Sequence, residues 1–376
     1  MLKKFALSLM ILLSLSGISF ADFIYTTESG ALGTIRTDVS WDVELPSIHY
    51  RSNISSPYVT SFWNGKTSSV ILIDRYGSLS GDRGYVFSPS DLTTFSKSVD
   101  IAGVYGTEHS AYSQNGYSLY LTSGARIYDV DTYSFRVLNS FDCTEVVSSD
   151  NYETEINSVA VDASIIHVLA KAGDFERYIR FDGQLKKDGI KYFKSIDIAP
   201  DASVVLSTAD NLAVVAHSLG IDMLRRDGKF YRLVSTDYPV KAMCPDKSGG
   251  LFYATQTKTD NTYVNTIHHY SPSEARTESL LSFASIESSS PNIKLLRDTS
   301  RFEIFAAMTD ERIKIFLYED SIVSEWDFTS SDLGGNPVEI TAATVSGYSA
   351  SSGSSGCSSV MGLGVIAAIS FLLRKK

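Results

Sequence analysis

The sequence predicts an all-β fold: a seven-bladed β-propeller of four-stranded antiparallel blades, closed into a ring by the C-terminal strand. Three observations carry this expectation. The composition favours strands, with 21 Tyr and 19 Phe against 9 Pro in 376 residues, because aromatic and β-branched side chains fit a pleated, half-buried surface. A short polar turn followed by an apolar run recurs along the body. A spare strand-like segment, Val338–Val345, follows the last complete repeat, where the first repeat is one strand short.

The recurring turns are Trp63-Asn64-Gly65-Lys66, Gln114-Asn115-Gly116, Asp162-Ala163-Ser164, Asp201-Ala202-Ser203, Asp246-Lys247-Ser248 and Asp298-Thr299-Ser300. Asn-Gly tolerates positive φ, and Asp and Ser bond their local backbone, so both dipeptide types reverse a chain. The runs that follow are VILID, YSLYLT, IIHVLA, VVLSTA, LFYATQ and FEIFAA. The turns are spaced by 51, 47, 39, 45 and 52 residues, the period of a four-stranded propeller blade. The body of 324 residues, 22–345, holds about seven such units.

Within the repeats, Asp182-Gly183 and Asp227-Gly228 separate third from fourth strands. Blade six reads VKAMC, GLFYATQ, YVNTIHHY, RTESLLSF, and blade seven NIKLL, RFEIFAAM, RIKIFLY, SIVSEWDF. In blade four the outer strand is either QLKKDGI or YFKSIDI. Blade one supplies only DFIYTTE, ALGTIRTDV and VELPSIHY, so VEITAATV is its missing partner, and its pairing removes the exposed edges of an open ring. An array of β-sandwiches is the structural alternative.

The two ends differ from the body. Residues 1–21 combine Lys3 and Lys4, an apolar run from Phe5 to Ile18 and a Ser-x-Ala ending at Ala21, the pattern of a signal peptide cut after Ala21; an uncleaved membrane anchor is the other reading. Residues 346–356 are a Gly/Ser linker that behaves as flexible coil. Residues 357–376 open on Cys357, continue through an apolar stretch and end in Arg374, Lys375 and Lys376. As a helix Val360–Leu373 reaches roughly 21 Å, short of a hydrocarbon core of about 30 Å, and the basic end favours the cytoplasmic side.

Gly356-Cys357, a short apolar helix and a terminal Arg-Lys-Lys resemble the Gly-Cys type of C-terminal sorting domain found in Gram-negative bacteria. That resemblance, over about 20 residues, implies an inner-membrane precursor, removal of the tail by a sorting protease and transfer to the cell surface, with Cys357 a point of modification. A single-pass tail anchor is the alternative. ALGTIRTDVSWDVEL, ARIYDVDTYSFRVL and GYVFSPSDLTTFSKSVDI resemble segments of YVTN-type bacterial surface propellers.

The whole chain carries a formal charge of −10. The body alone holds 28 basic and 43 acidic side chains, which disfavours nucleic acid and anionic lipid as partners. Six histidines are scattered and none sits in an HExxH or similar ligand pair. His167 reads as a core residue, and His268-His269 in one strand point to opposite faces. Asp129 and Asp131 belong to turn chemistry, without the oxygen spacing of a calcium loop. No G-x-S-x-G elbow occurs. Cys143 and Cys244 fall in different blades and read as buried thiols.

No catalytic residue, metal ligand or cofactor site is expected. The processing positions are Ala21, Gly356, Cys357, Arg374, Lys375 and Lys376. The expected function is an exported binding module for a protein or glycan at the cell envelope. The alternatives are a propeller enzyme acting on a carbohydrate or lactone, with carboxylates converging on the central channel, and a structural component of the surface layer.

Overall fold

The computed structural model describes residues 21–344 except 38–42, 52, 55, 64–67, 114–115, 148–152, 163–164, 174, 183, 186–189, 196–203, 208–212, 226, 247–248, 261, 286–292 and 298–303. Its strands form seven sheets of four. From the channel outward, blade one is β28 (Pro337–Thr344), β1 (Ala21–Thr27), β2 (Ala31–Thr37) and β3 (Ser47–Arg51). Blade two is β4 (Pro57–Trp63), β5 (Ser68–Ser78), β6 (Gly81–Phe87) and β7 (Lys97–Ala102). Blade three is β8 (His109–Tyr112), β9 (Ser118–Ser123), β10 (Arg126–Asp131) and β11 (Val137–Asp142).

Blade four follows as β12 (Thr154–Asp162), β13 (Ile165–Ala172), β14 (Phe175–Asp182) and β15 (Ile190–Ser195), and blade five as β16 (Val204–Ser207), β17 (Ala213–His217), β18 (Gly220–Leu224) and β19 (Phe230–Ser235). Blade six is β20 (Val240–Pro245), β21 (Leu251–Thr259), β22 (Thr262–Ser271) and β23 (Arg276–Ser285). Blade seven is β24 (Lys294–Arg297), β25 (Ile304–Met308), β26 (Arg312–Tyr318) and β27 (Ile322–Thr329).

Burial follows position in the blade. The second strands are packed on both faces, as in VILID of β5 and AVVAH of β17, where every residue but Asp74 is buried. The outer strand β27 alternates between half-buried and exposed along most of its length. Strands covered on both sides read as continuous apolar runs, and strands with one wet face alternate. Aromatic rings join neighbouring blades: Phe252 stacks on Phe305 at 4.4 Å, and Phe141 meets Phe181 edge-on at 5.1 Å.

The ring closes as expected. β28 pairs antiparallel with β1 from Ala21↔Thr344 through Thr26↔Glu339. The closing strand is also fastened to blade two, where Ser61 Oγ lies 2.9 Å from Thr341 Oγ1 and donates to the Ala342 carbonyl at 2.7 Å. Thus residues 1–20 and 345–376 both attach at one end of the channel, where Ala21 meets Thr344. The inner strands begin at the other end.

One sequence assignment needs correction, and the open choice in blade four is resolved. Val204–Ser207 is the inner strand of blade five, not the second strand after a repeat turn; the connection between first and second strands there is 208–212, which carries no Asn-Gly. The fourth strand of blade four is Ile190–Ser195, which takes the start of YFKSIDI and only the last residue of QLKKDGI. The other blades, and the count of seven, match the expectation. Cys143 and Cys244 are buried in separate core clusters and form no disulfide. Among the described residues no helix is long and apolar enough to cross a membrane. Gly356, Cys357, Arg374, Lys375 and Lys376 lie outside the described residues, and Ala21 is the first residue of β1.

Candidate functional site at the mouth of the channel

A cavity of about 380 Å³ opens where the inner strands begin. Its walls come from blades seven, one, two and three. Lys294 and His109 are the first residues of β24 and β8, and Val338 and Glu339 lie near the start of β28. Glu28 and Asp310 stand in the β1–β2 and β25–β26 turns, Arg75 lies near the outer end of β5, and Glu108 precedes β8. All inner strands enter the channel from this face, so their first residues converge without being near in sequence.

Glu339 is the deepest charge. Strand alternation leaves Val338 exposed and turns Glu339 inward, 1% exposed. Lys294 Nζ donates to its Oε2 at 2.5 Å. Burial pushes the Glu339 carboxyl above its ordinary range, and the charges of Lys294 and Arg75 pull only part of the way back.

His109 is half-buried and its backbone N–H donates to Thr122 Oγ1 at 3.1 Å. Desolvation, then the positive charges of Lys294 and Arg75, push its imidazole down to about 3, against a backbone hydrogen bond at Ile156. The ring is therefore neutral at ordinary pH and offers one donor and one acceptor. Counting His109 as neutral, four carboxylates (Glu28, Glu108, Asp310, Glu339) face two cations, a net of −2.

Arg75 differs from Lys294. Its guanidinium lies 5.3 Å from the Tyr58 ring centroid, and its buried Nε has no hydrogen-bond acceptor among the described residues. The carboxylates on the rim are partly engaged: Glu108 Oε2 accepts from the Gly124 N–H at 3.0 Å, and Glu28 Oε1 from Asn336 Nδ2 at 3.1 Å.

The rim beside Arg75 and Glu108 is built by one buried carboxylate. Asp82, 0% exposed, accepts from the N–H groups of Tyr76 (2.9 Å), Gly106 (2.7 Å) and Thr107 (2.8 Å) and from the Thr107 hydroxyl (2.7 Å). It thereby ties the β5–β6 hairpin to the link between blades two and three. Gly106 has a φ of 72, and a Cβ there would stand 2.2 Å from the Tyr76 hydroxyl oxygen. Gly106→Ala is expected to cost about 2 kcal/mol, from left-handed strain and displacement of Tyr76, measured by urea denaturation.

The histidines singled out in the sequence do not gather. His167 is fully buried, its Nδ1 2.6 Å from the Tyr178 hydroxyl, and burial pushes it down to about 3. His268 bonds Thr255 and Ser279, while His269 faces the other way, between Asp246 Oδ2 (2.6 Å) and the Tyr318 hydroxyl (2.9 Å). That second set staples blade six to blade seven. His49 pairs with Thr34 Oγ1 at 2.7 Å, and buried His217 sits 3.5 Å from Asp222. Asp131 caps its own turn through Tyr133 and Ser134. Among the described residues no group of three or more His, Cys, Asp or Glu is placed to hold a metal ion.

Sequence reasoning left the mouth residues unnamed. One signal was present: Glu339 is a lone carboxylate inside the apolar run VEITAATV, where a buried position needs a partner.

No family model matches the chain, and no curated protein matches it. Solved structures do. Apo AztD from Citrobacter koseri is 9% identical with a TM-score of 0.53, covering 89% of this chain and 100% of that one. The structure of U3-55K is 8% identical with a TM-score of 0.52, covering 74% of this chain and 84% of that one. The likeness is one of fold. At such identities it says nothing of ligand or chemistry.

Proposed function

We propose that the chain is an exported, non-catalytic binding module that receives a protein or glycan ligand of the cell envelope at the mouth of the channel. The observation that carries this reading is the convergence of charged groups from four blades on one cavity, at the channel end opposite the attachment of residues 1–20 and 345–376. A rigid disc held by its termini on one face presents the other to a partner, and loops on a rigid scaffold are where binding residues concentrate. The export reading rests on the segment ending at Ala21, and surface transfer on Gly356, Cys357 and the Arg374–Lys376 end; before processing the tail would sit in the inner membrane and meet a sorting protease. Mass spectrometry of the protein from cells is expected to find Asp22 as the first residue and a chain cut or modified at Cys357. An intact leader and an unmodified full-length tail would refute both steps.

The binding reading is tested with purified protein and the Glu108→Gln and Asp310→Asn variants, using immobilised envelope proteins and glycans. Capture is expected to fall about tenfold in each variant without change in the melting temperature. Undiminished capture would remove the cavity from the account. A second reading, hydrolysis of a sugar or lactone, is favoured by one observation: Glu339 is a carboxyl with a raised pKa in a cavity with three others, as general-acid sites require. Turnover of a glycoside or lactone abolished by Glu339→Gln would establish it.

A further inference from the structure

We infer that the mouth cavity is a chain-end site for a short peptide. The peptide's terminal carboxylate sits against Arg75, its ammonium sits among the rim carboxylates, and an apolar side chain rests on a platform of Tyr76, Leu79 and Tyr105. This rests on the binding reading above and names its ligand.

Three observations lead to it. First, Arg75 is a half-buried lining residue with a planar, permanently charged guanidinium whose Nε has no acceptor among the described residues, and a guanidinium fork suits a carboxylate. Lys294 competes less, since its charge is balanced by the Glu339 carboxylate. Second, the cavity carries a net charge of −2 in a chain of −10. A polyanion is repelled, so the negative group that Arg75 accepts must arrive with a positive one. Glu28, Glu108 and Asp310 supply the counter-charges. A molecule with a carboxylate and an ammonium at its ends meets both demands.

Third, the β5–β6 hairpin and the link before β8, which adjoin the lining residues Arg75 and Glu108 in the chain, display apolar surface at a conformational cost. Tyr76 follows Arg75 in the chain, has φ 63 and is 68% exposed. A tyrosine in the left-handed region is strained, and here the buried Asp82 carboxylate holds it through its N–H. Leu79 is fully exposed and Tyr105 43%, and the Tyr105 hydroxyl donates to the Leu79 carbonyl at 3.3 Å. An exposed leucine tied to Tyr105, with exposed Tyr76 on the same hairpin, suits an apolar side chain better than a sugar ring, and Tyr and Arg are the residues that anchor protein ligands.

The test is calorimetry on the protein purified from its own cells, with the tripeptide Ala-Ala-Phe, its C-terminal amide, its N-acetyl form and glucuronic acid. The free tripeptide is expected to bind, and the amide and the acetyl form each to bind about tenfold more weakly. In Arg75→Gln the preference for free acid over amide disappears, while the preference for free amine over acetyl remains. Tyr76→Asn, which tolerates the left-handed backbone, weakens all three peptides in parallel and leaves both preferences intact. Equal affinity for acid and amide overturns the inference, as does tighter binding of glucuronic acid than of any peptide. If no peptide binds while an envelope protein or glycan is still captured through Glu108 and Asp310, the peptide assignment falls and the binding reading stands; if nothing is captured, both fall.

Discussion

Replacing Asp82 by alanine lowers the stability of the propeller by about 4 kcal/mol and, with it, the capture of any ligand at the channel mouth. The carboxylate is 0% exposed and is the common acceptor for three backbone N–H groups and one hydroxyl. Alanine leaves those donors buried without an acceptor, and each orphaned group costs about 1–3 kcal/mol unless it moves to water. The local escape is for Tyr76 to leave its left-handed conformation and for the Gly106–Glu108 link to lift away. That partial relief keeps the cost below the simple sum, and it removes both the platform and the correct placement of Glu108. Asp82→Asn keeps one acceptor oxygen and should cost about half as much. Urea denaturation of the two variants, read against wild type, measures the difference; equal stability of alanine and wild type would show that the rim is held by something else.

The second large effect is at the cavity floor. Lys294→Met is expected to destabilise the chain by about 3–5 kcal/mol near neutral pH, because it leaves Glu339 buried without its counter-ion. The pH dependence identifies the cause. The folded-state pKa of Glu339 already lies above its ordinary value of 4.5, and losing Lys294 raises it further. A carboxyl with a raised folded pKa binds more protons folded than unfolded. Its contribution to stability is therefore fully present below the unfolded pKa and is lost as pH rises towards the folded one. The defect of Lys294→Met should accordingly shrink below about pH 4.5. The double variant Lys294→Met with Glu339→Gln should recover most of the loss at pH 7, since no buried charge remains. A defect of constant size across pH, unrescued by the second change, would mean that packing and not charge is responsible.

The propeller was readable in the sequence because its second strands are buried on both faces. VILID, IIHVLA and LFYATQ stand out as continuous apolar runs, and the polar turns before them recur at the period of a blade. The closing strand was readable for a complementary reason, since Val338–Val345 had no partner other than the short first repeat. Blade five misled because its inner strand, VVLS, is as apolar as its second, AVVAH. With Asp201-Ala202-Ser203 in front, the inner strand imitates the second strand of the other repeats. The error shifted one strand within a blade and left the count of blades intact.

The cavity was not readable. Glu28, Arg75, Glu108, Lys294 and Glu339 are separated by up to some three hundred residues, and none belongs to a motif. Only closure of the ring brings the starts of β28, β24, β4 and β8 together. The Asp82 network is equally silent in the sequence, because an aspartate directly after a serine-glycine pair, Ser80-Gly81, reads as one more turn former.

Binding at the channel mouth requires the partner to meet that face of the disc. A photo-crosslinking residue placed at Val338, a 38% exposed residue lining the cavity, and in a second protein at Tyr133, an 84% exposed residue of the β10–β11 hairpin at the opposite end of the blades, tests this directly in cells. We expect the partner to be captured from position 338 and not from position 133. Capture from 133 alone would place the binding face where the chain termini attach, and the cavity would then be a structural feature of ring closure.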